Sequence, residues 1–189
     1  IHKNKKVYAV ITDMGASGAY YIAAAADQIY VAPGSLVGSI GVIMQGFGVE
    51  GLMQKLGVEN RTLTAGENKA IMSPFAPVRP EDQEHIKMLL DTIHHQFVAA
   101  VKQGRGQRLK DNPDIFSGLF WTGQQAVELG LADGFGSVDS VARTVVGAEK
   151  LVDYSVTESP LESLLGRFGS EVGESMAAKL MPAQGMQLR

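Results

Sequence analysis

The sequence contains no cysteine, which excludes thiol nucleophiles, thiolate metal sites and disulfides. It has only four histidines, His2, His85, His94 and His95, so the commonest general base has few places to act from. Basic residues number 17 against 20 acidic ones, a formal net charge of −3. A nucleic-acid binder needs a basic face that this balance does not supply, so nucleic acid is not an expected partner. No apolar run approaches the roughly 18 residues of a membrane span, no signal peptide opens the chain, and neither an internal repeat nor a low-complexity segment is visible. Because the chain begins at Ile1 rather than Met, it reads as a fragment or processed product, and the missing targeting segment says nothing about the parent.

What is present is ordinary globular composition, 45% hydrophobic and 20% charged with 22 glycines over 189 residues. That is enough for one domain with its own core, expected over residues 1–155, followed by an amphipathic helix and flexible tail over 156–189. The run Val7-Tyr8-Ala9-Val10-Ile11-Thr12 has the short, β-branched pattern of a buried strand. Ala19 to Ala26 reads as a buried, alanine-rich helix, and Gln28 to Ala32 as a second strand. A third apolar run, Ile40 to Met44, follows a turn-like Val37-Gly38-Ser39. Gly48 to Leu56 suits a short helix capped by Gly57, and Glu59 to Thr64 a further strand. From Pro80, with Glu81 and Asp82 in its first turn, a long helix carries Ile86, Leu89, Leu90, Ile93, Phe97, Val98 and Val101 at helical spacing. Gly104-Arg105-Gly106 ends it. Thr122 caps a short helix closed by Gly130, and Val138 to Val146 forms another. The alternation predicts an α/β fold with a parallel or mixed sheet.

The strongest chemical signal is Asp13-Met14-Gly15-Ala16-Ser17-Gly18-Ala19-Tyr20-Tyr21, placed where a buried strand turns into a helix. A serine there projects from a sharp turn, and the amide of Gly18 lies at the positive end of the helix. The pair offers a nucleophile and an oxyanion donor. The order G-x-S-G differs from the G-x-S-x-G elbow of α/β-hydrolases, which disfavours that fold. On this motif alone Ser17 reads equally as a nucleophile or as the N-cap of an alanine-rich helix.

The serine needs a base. His2 precedes the first strand, and His85, His94 and His95 lie on the long helix, where they are expected to face solvent or pack structurally. His94-His95 lacks the i, i+4 spacing of a helical zinc site; no metal or cofactor is expected. Lysine is the other documented partner, and it serves only when its amine is neutral, which requires dry surroundings and no carboxylate partner. Lys69 sits in a turn flanked by apolar residues and proline, where a lysine is by itself far more often a solvated loop charge.

Three segments, Gly15 to Ala23, Gly38-Ser39-Ile40-Gly41-Val42 and Gly66-Glu67-Asn68-Lys69-Ala70-Ile71-Met72-Ser73-Pro74, resemble in order and spacing the signal peptide peptidase A family of bacterial Ser/Lys peptidases, in its short, single-unit form. Gly104-Arg105-Gly106 and Trp121-Thr122-Gly123-Gln124-Gln125-Ala126, leading to Asp133, are similar to the family too. The resemblance implies Ser17 as nucleophile, Lys69 as general base, Ser39 as the hydroxyl that orients the lysine amine, and the Gly18 amide as an oxyanion donor. It implies a ClpP/crotonase-like fold of stacked β-β-α units and self-association into a ring-like homo-oligomer. It also implies a place at the extracytoplasmic face of the bacterial inner membrane, with residual signal peptides as substrate.

Family members carry a membrane anchor, further N-terminal units and a second oxyanion amide before the nucleophile strand. This chain is therefore expected to be the C-terminal part of a longer peptidase, weakly active or inactive alone. Met14, Tyr20, Tyr21, Ile43 and Met44 are candidates for apolar substrate pockets and equally for core. Two further readings stay open: a crotonase-like acyl-CoA hydratase or isomerase, and a catalytically incomplete assembly domain. The first needs paired carboxylates, and Asp13 and Asp27 show no pairing. A ClpP-type protease needs a histidine about two dozen residues after the serine, and none is there.

Overall fold

A computed structural model describes residues 5–155. The chain divides into a unit Ile1–Glu149, which holds every element described here, and a second unit, Lys150–Arg189. The expected amphipathic helix and tail at 156–189, and His2, lie outside the described residues.

The apolar β-branched run near the N-terminus forms strand β1, Tyr8–Ile11, and after Thr12-Asp13 the chain forms β2, Met14–Ala16. Helix α1, Gly18–Ala23, leads to β3, Gln28–Val31, and then β4, Leu36–Gly38. Helix α2, Glu50–Leu56, ends on the left-handed Gly57 at φ 67°. Helix α3, Pro80–Arg105, starts on the proline and carries Glu81 and Asp82 in its first turn. Strand β5, Phe120–Thr122, runs into α4, Gly123–Glu128; then come β6, Gly134–Phe135, and α5, Val138–Val141, extended by a π-helical turn to Val146.

These strands make two three-stranded sheets. One is parallel, in the order β1-β3-β6, and the other is mixed, β2-β4-β5, with β2 and β4 parallel and β5 antiparallel to β4. Each of the first two strand pairs thus sends one strand to each sheet before a helix follows. The mixed α/β architecture agrees with the alternation in the sequence.

The core is built from Ile11, Ile29, Val31, Val37 and Ile40 with Phe97, Val101, Ile115 and Leu131. Only the C-terminal part of α3 enters it; Leu89 and Ile93 on the same apolar face stay 43% and 46% exposed. The small residues of α1 let α3 approach closely. A side chain on Gly104 would begin 1.9 Å from the carbonyl oxygen of Ala24, so only glycine fits there. Tyr21 stacks on Phe97 at 4.6 Å.

Thr122 caps α4 through a capping box, its side chain accepting from the Gln125 amide; such caps contribute about 1 kcal/mol.

One expected strand is corrected, and one apolar run lies outside the sheets. Pairing falls on Leu36–Gly38, which starts four residues before the apolar run Ile40 to Met44, and Val37 and Gly38 are enclosed between β2 and β5. Beyond the buried Ile40 the run leaves the sheet, and Ile43 is 81% exposed. Glu59 to Thr64 forms no strand, because it finds no sheet edge among the described residues, and Leu63 is 97% exposed.

Candidate active site

Ser17 sits between β2 and α1, at the N-cap position, with φ 53° and ψ −124°. A serine in that region carries a strain of about 1–3 kcal/mol. Only Ser17, Ser39 and Met72 among the described non-glycine residues have positive φ, and two of these three are the serines singled out in the sequence. The backbone strain is held by pairing: Ser17 N–H donates to the Gly38 carbonyl at 2.8 Å, and the Ser17 carbonyl accepts from Tyr21 N–H at 2.9 Å.

The side chain of Ser17 makes no capping bond and is exposed. The capping alternative is thereby set aside, since a cap is defined by a side-chain oxygen accepting from the first turn. The first amides of α1, Gly18 among them, have no intrahelical partner. Outside its chain neighbours and its own helix backbone, nothing lies within 4 Å of where a side chain on Gly18 would begin.

Ser39 follows β4 as Ser17 follows β2. The parallel register Ala16↔Gly38 puts the two serines side by side at the ends of neighbouring strands, whose backbones run about 5 Å apart. Ser39 is half-buried at φ 50°; its N–H donates to the Leu119 carbonyl at 2.8 Å and its carbonyl accepts from Gly41 at 2.9 Å.

Lys69 lies in a series of turns, its N–H donating to the Gly66 carbonyl at 3.2 Å. The loop is tied to the start of α3 through its neighbour Asn68, which accepts from Arg79 at 3.2 Å, while Arg79 also pairs with the buried Asp82. The Asp82 hydrogen bond, with the neighbouring carboxylates, raises the Arg79 guanidinium above its ordinary value. The Lys69 side chain is exposed and makes no hydrogen bond or ion pair among the described residues. It therefore has no carboxylate partner, as a neutral amine requires, but a single chain does not bury it. No hydrogen bond joins it to Ser17 or Ser39.

The structure separates the apolar candidates. Met14 is 64% exposed and lines a cavity of about 410 Å³ with Gly15, Ala19 and Ile22. Ile43 lies on an exposed segment away from the core. Tyr20 is corrected: it is fully buried, its hydroxyl donates to the Leu131 carbonyl at 2.7 Å, and burial pushes its phenol well up. It lies on the inward stripe of α1 with Ala23 and Ala24, three and four residues on.

The histidines do not serve the serine: none of the three described ones bonds Ser17. His94, expected to pack structurally or face solvent, packs. Its Nε2 lies 3.1 Å from the Ile40 carbonyl and 3.0 Å from that of Phe116. Arg105 and Asp133 were marked only by their motifs; their buried pairing has no signal in local periodicity. No group of three His, Asp or Glu residues able to hold a metal occurs among the described residues.

The family model for peptidase family S49 matches residues 1–152. The chain belongs to peptidase family S49. An Enterococcus faecium protein provisionally named signal peptide peptidase SppA is 34% identical over 152 residues, covering 80% of this chain and 44% of that protein. The chloroplastic serine protease SPPA of Arabidopsis thaliana is 28% identical over 182 residues, covering 90% of this chain and 26% of its own length. A Brucella abortus protein that bears the name Na(+)/H(+) antiporter NhaA is 44% identical over 187 residues, covering 97% of this chain and 24% of that protein. This S49 chain thus spans between about a quarter and a half of these relatives.

Proposed function

We propose that the chain carries the nucleophile and general base of a serine endopeptidase that degrades residual signal peptides after their release from preproteins. The observation that carries this reading is Ser17: strained backbone, a hydroxyl that caps nothing, and beside it a helix-start amide with no intrahelical partner. The family and the relatives named as proteases support it. None of the described helices is long and apolar enough to cross a membrane.

In the proposed reaction the neutral Lys69 amine takes the Ser17 hydroxyl proton as Oγ bonds to the scissile carbonyl carbon. The carbonyl oxygen becomes an oxyanion and accepts from the Gly18 amide; one such donor is worth about 3 kcal/mol. The tetrahedral intermediate collapses, the C–N bond breaks, and Lys69 returns the proton to the leaving amine. Water, deprotonated by the same amine, then hydrolyses the acyl-serine. Ser39 steers the amine toward Ser17, and Met14 and Ile43 contact substrate side chains. No metal or cofactor enters these steps.

A base that must be dry while a single chain leaves it exposed points to cover from a second copy. Between β4 and α3, the stretch that also carries Lys69 shows Ile43, Phe47 and Leu63 exposed 81%, 80% and 97%, apolar side chains available for a second copy to cover. A ring-like homo-oligomer, held at the extracytoplasmic side of the bacterial inner membrane by a segment outside this chain, fits that need. The two-sheet alternation of strands fits a ClpP/crotonase-like stack.

A fluorophosphonate probe tests the reading. Labelling at Ser17 that disappears in Lys69→Ala is expected; labelling that survives the lysine substitution overturns the assignment of the base. Mixed assembly of Ser17→Ala with Lys69→Ala copies tests the cover: restored hydrolysis places the two groups on different copies.

A further inference from the structure

We propose that His94 is a positioning residue for this reaction, acting through Ser39; the inference rests on the reading of Ser39 as the hydroxyl that steers Lys69. Ser39 is held at φ 50°, a conformation serine avoids and keeps only when its surroundings enforce it. Three contacts enforce it. The Ser39 amide is held by the Leu119 carbonyl at 2.8 Å. Gly41 lies against Gly118, so closely that a side chain on Gly41 would begin 3.1 Å from the Gly118 Cα. The third contact is His94, half-buried on α3, whose Nε2 reaches the carbonyls of Ile40 and Phe116 at 3.1 and 3.0 Å.

The chemistry of that contact is one-sided. Both partners are carbonyl oxygens, which only accept, so Nε2 carries a hydrogen and donates to both, in the neutral ring and in the charged one. One N–H thereby fastens the residue after Ser39 and the loop that holds the Ser39 amide to the same point on the long helix. Ile40 is fully buried beside it, so the carbonyl cannot turn to water if the donor is lost. An unmet buried carbonyl and a strained serine relax together, and the Ser39 hydroxyl loses the position from which it is read to steer the amine.

The test is a substitution series in the full-length protein, at temperatures well below unfolding. His94→Ala and His94→Phe are expected to lower kcat by about tenfold to a hundredfold with KM little changed, the cost of a small misplacement of a catalytic group. His94→Gln, which returns an N–H near the same place, is expected to recover most of it. In a Ser39→Ala background, already slow, His94→Ala is expected to cost nothing more. A full additional loss there, or a rise in KM without a fall in kcat, overturns the role of His94 while leaving the Ser/Lys reading intact. An unimpaired Ser39→Ala enzyme overturns the reading of Ser39 and this proposal with it. Independently of how the variants fold, nitrogen-detected NMR of wild-type His94 is expected to show the Nε2–H tautomer; an unprotonated Nε2 refutes the clamp.

Discussion

Arg105 meets Asp133 edge to edge, Nη1 at 2.7 Å from one carboxylate oxygen and Nη2 at 3.0 Å from the other. Arg105 is almost fully buried, and its Nε donates to the Gly130 carbonyl at 2.9 Å. Asp133 also accepts from the Ile29 amide and from Arg108, while Arg108 donates to the Gly104 carbonyl. The cluster therefore ties the end of α3 to strand β3 and to the turn before β6.

Truncating the arginine leaves a carboxylate among buried groups with much of its pairing gone. Arg105→Ala is expected to cost about 3 kcal/mol or more, read as a fall in denaturant midpoint, with Arg105→Lys recovering only part because ammonium lacks the fork. Partial burial pushes the Asp133 carboxyl up, but the Arg105 and Ile29 hydrogen bonds and the two arginine charges outweigh it and hold it below the ordinary 3.8. A depressed folded value means this stabilisation is complete above the ordinary carboxylate range and fades as pH falls through the folded value. Acid titration of stability should lose part of its steepness in Asp133→Asn; an unchanged acid limb contradicts the pairing.

Tyr20→Phe removes one buried hydroxyl and strands the Leu131 carbonyl. The expected loss is about 1–2 kcal/mol. Because α1 begins beside Ser17, the proposed nucleophile, hydrolysis should fall only modestly, with substrate specificity unaltered. A shift in substrate preference would show that Tyr20 contacts substrate after all.

Ser17→Gly is expected to abolish hydrolysis and raise stability together. Glycine adopts positive φ without a steric penalty, so removing the strain should return about 1 kcal/mol, a few degrees in Tm for a domain of this size. Calorimetry showing no gain, or a loss, would mean the turn is not strained.

Leu63→Asp, at a side chain 97% exposed on a single chain, is expected to leave the Tm of the isolated subunit unchanged and to shift sedimentation toward smaller species. If the proposed assembly covers Lys69, activity should fall with it. Unaltered assembly would place the interface elsewhere.

Much of the scaffold was legible because it is encoded locally. Pro80 with Glu81 and Asp82 starts α3, Thr122 with Gln125 starts α4, Gly57 stops α2, and the β-branched run makes β1; each signal lies within a few residues. Family motifs marked Ser17, Ser39 and Lys69. What the sequence by itself determined was therefore the identity of the groups and the local turns that present them. Only the tertiary structure decided that β4 pairs at Leu36–Gly38, that residues 59–64 pair with nothing, that Tyr20 points inward and that Ser17 caps no helix. It alone joined Arg105 to Asp133 and His94 to Ile40. The physical reason is that a strand, a buried hydroxyl or an ion pair is completed by a partner distant in the chain, and local periodicity carries no record of which segment returns to it.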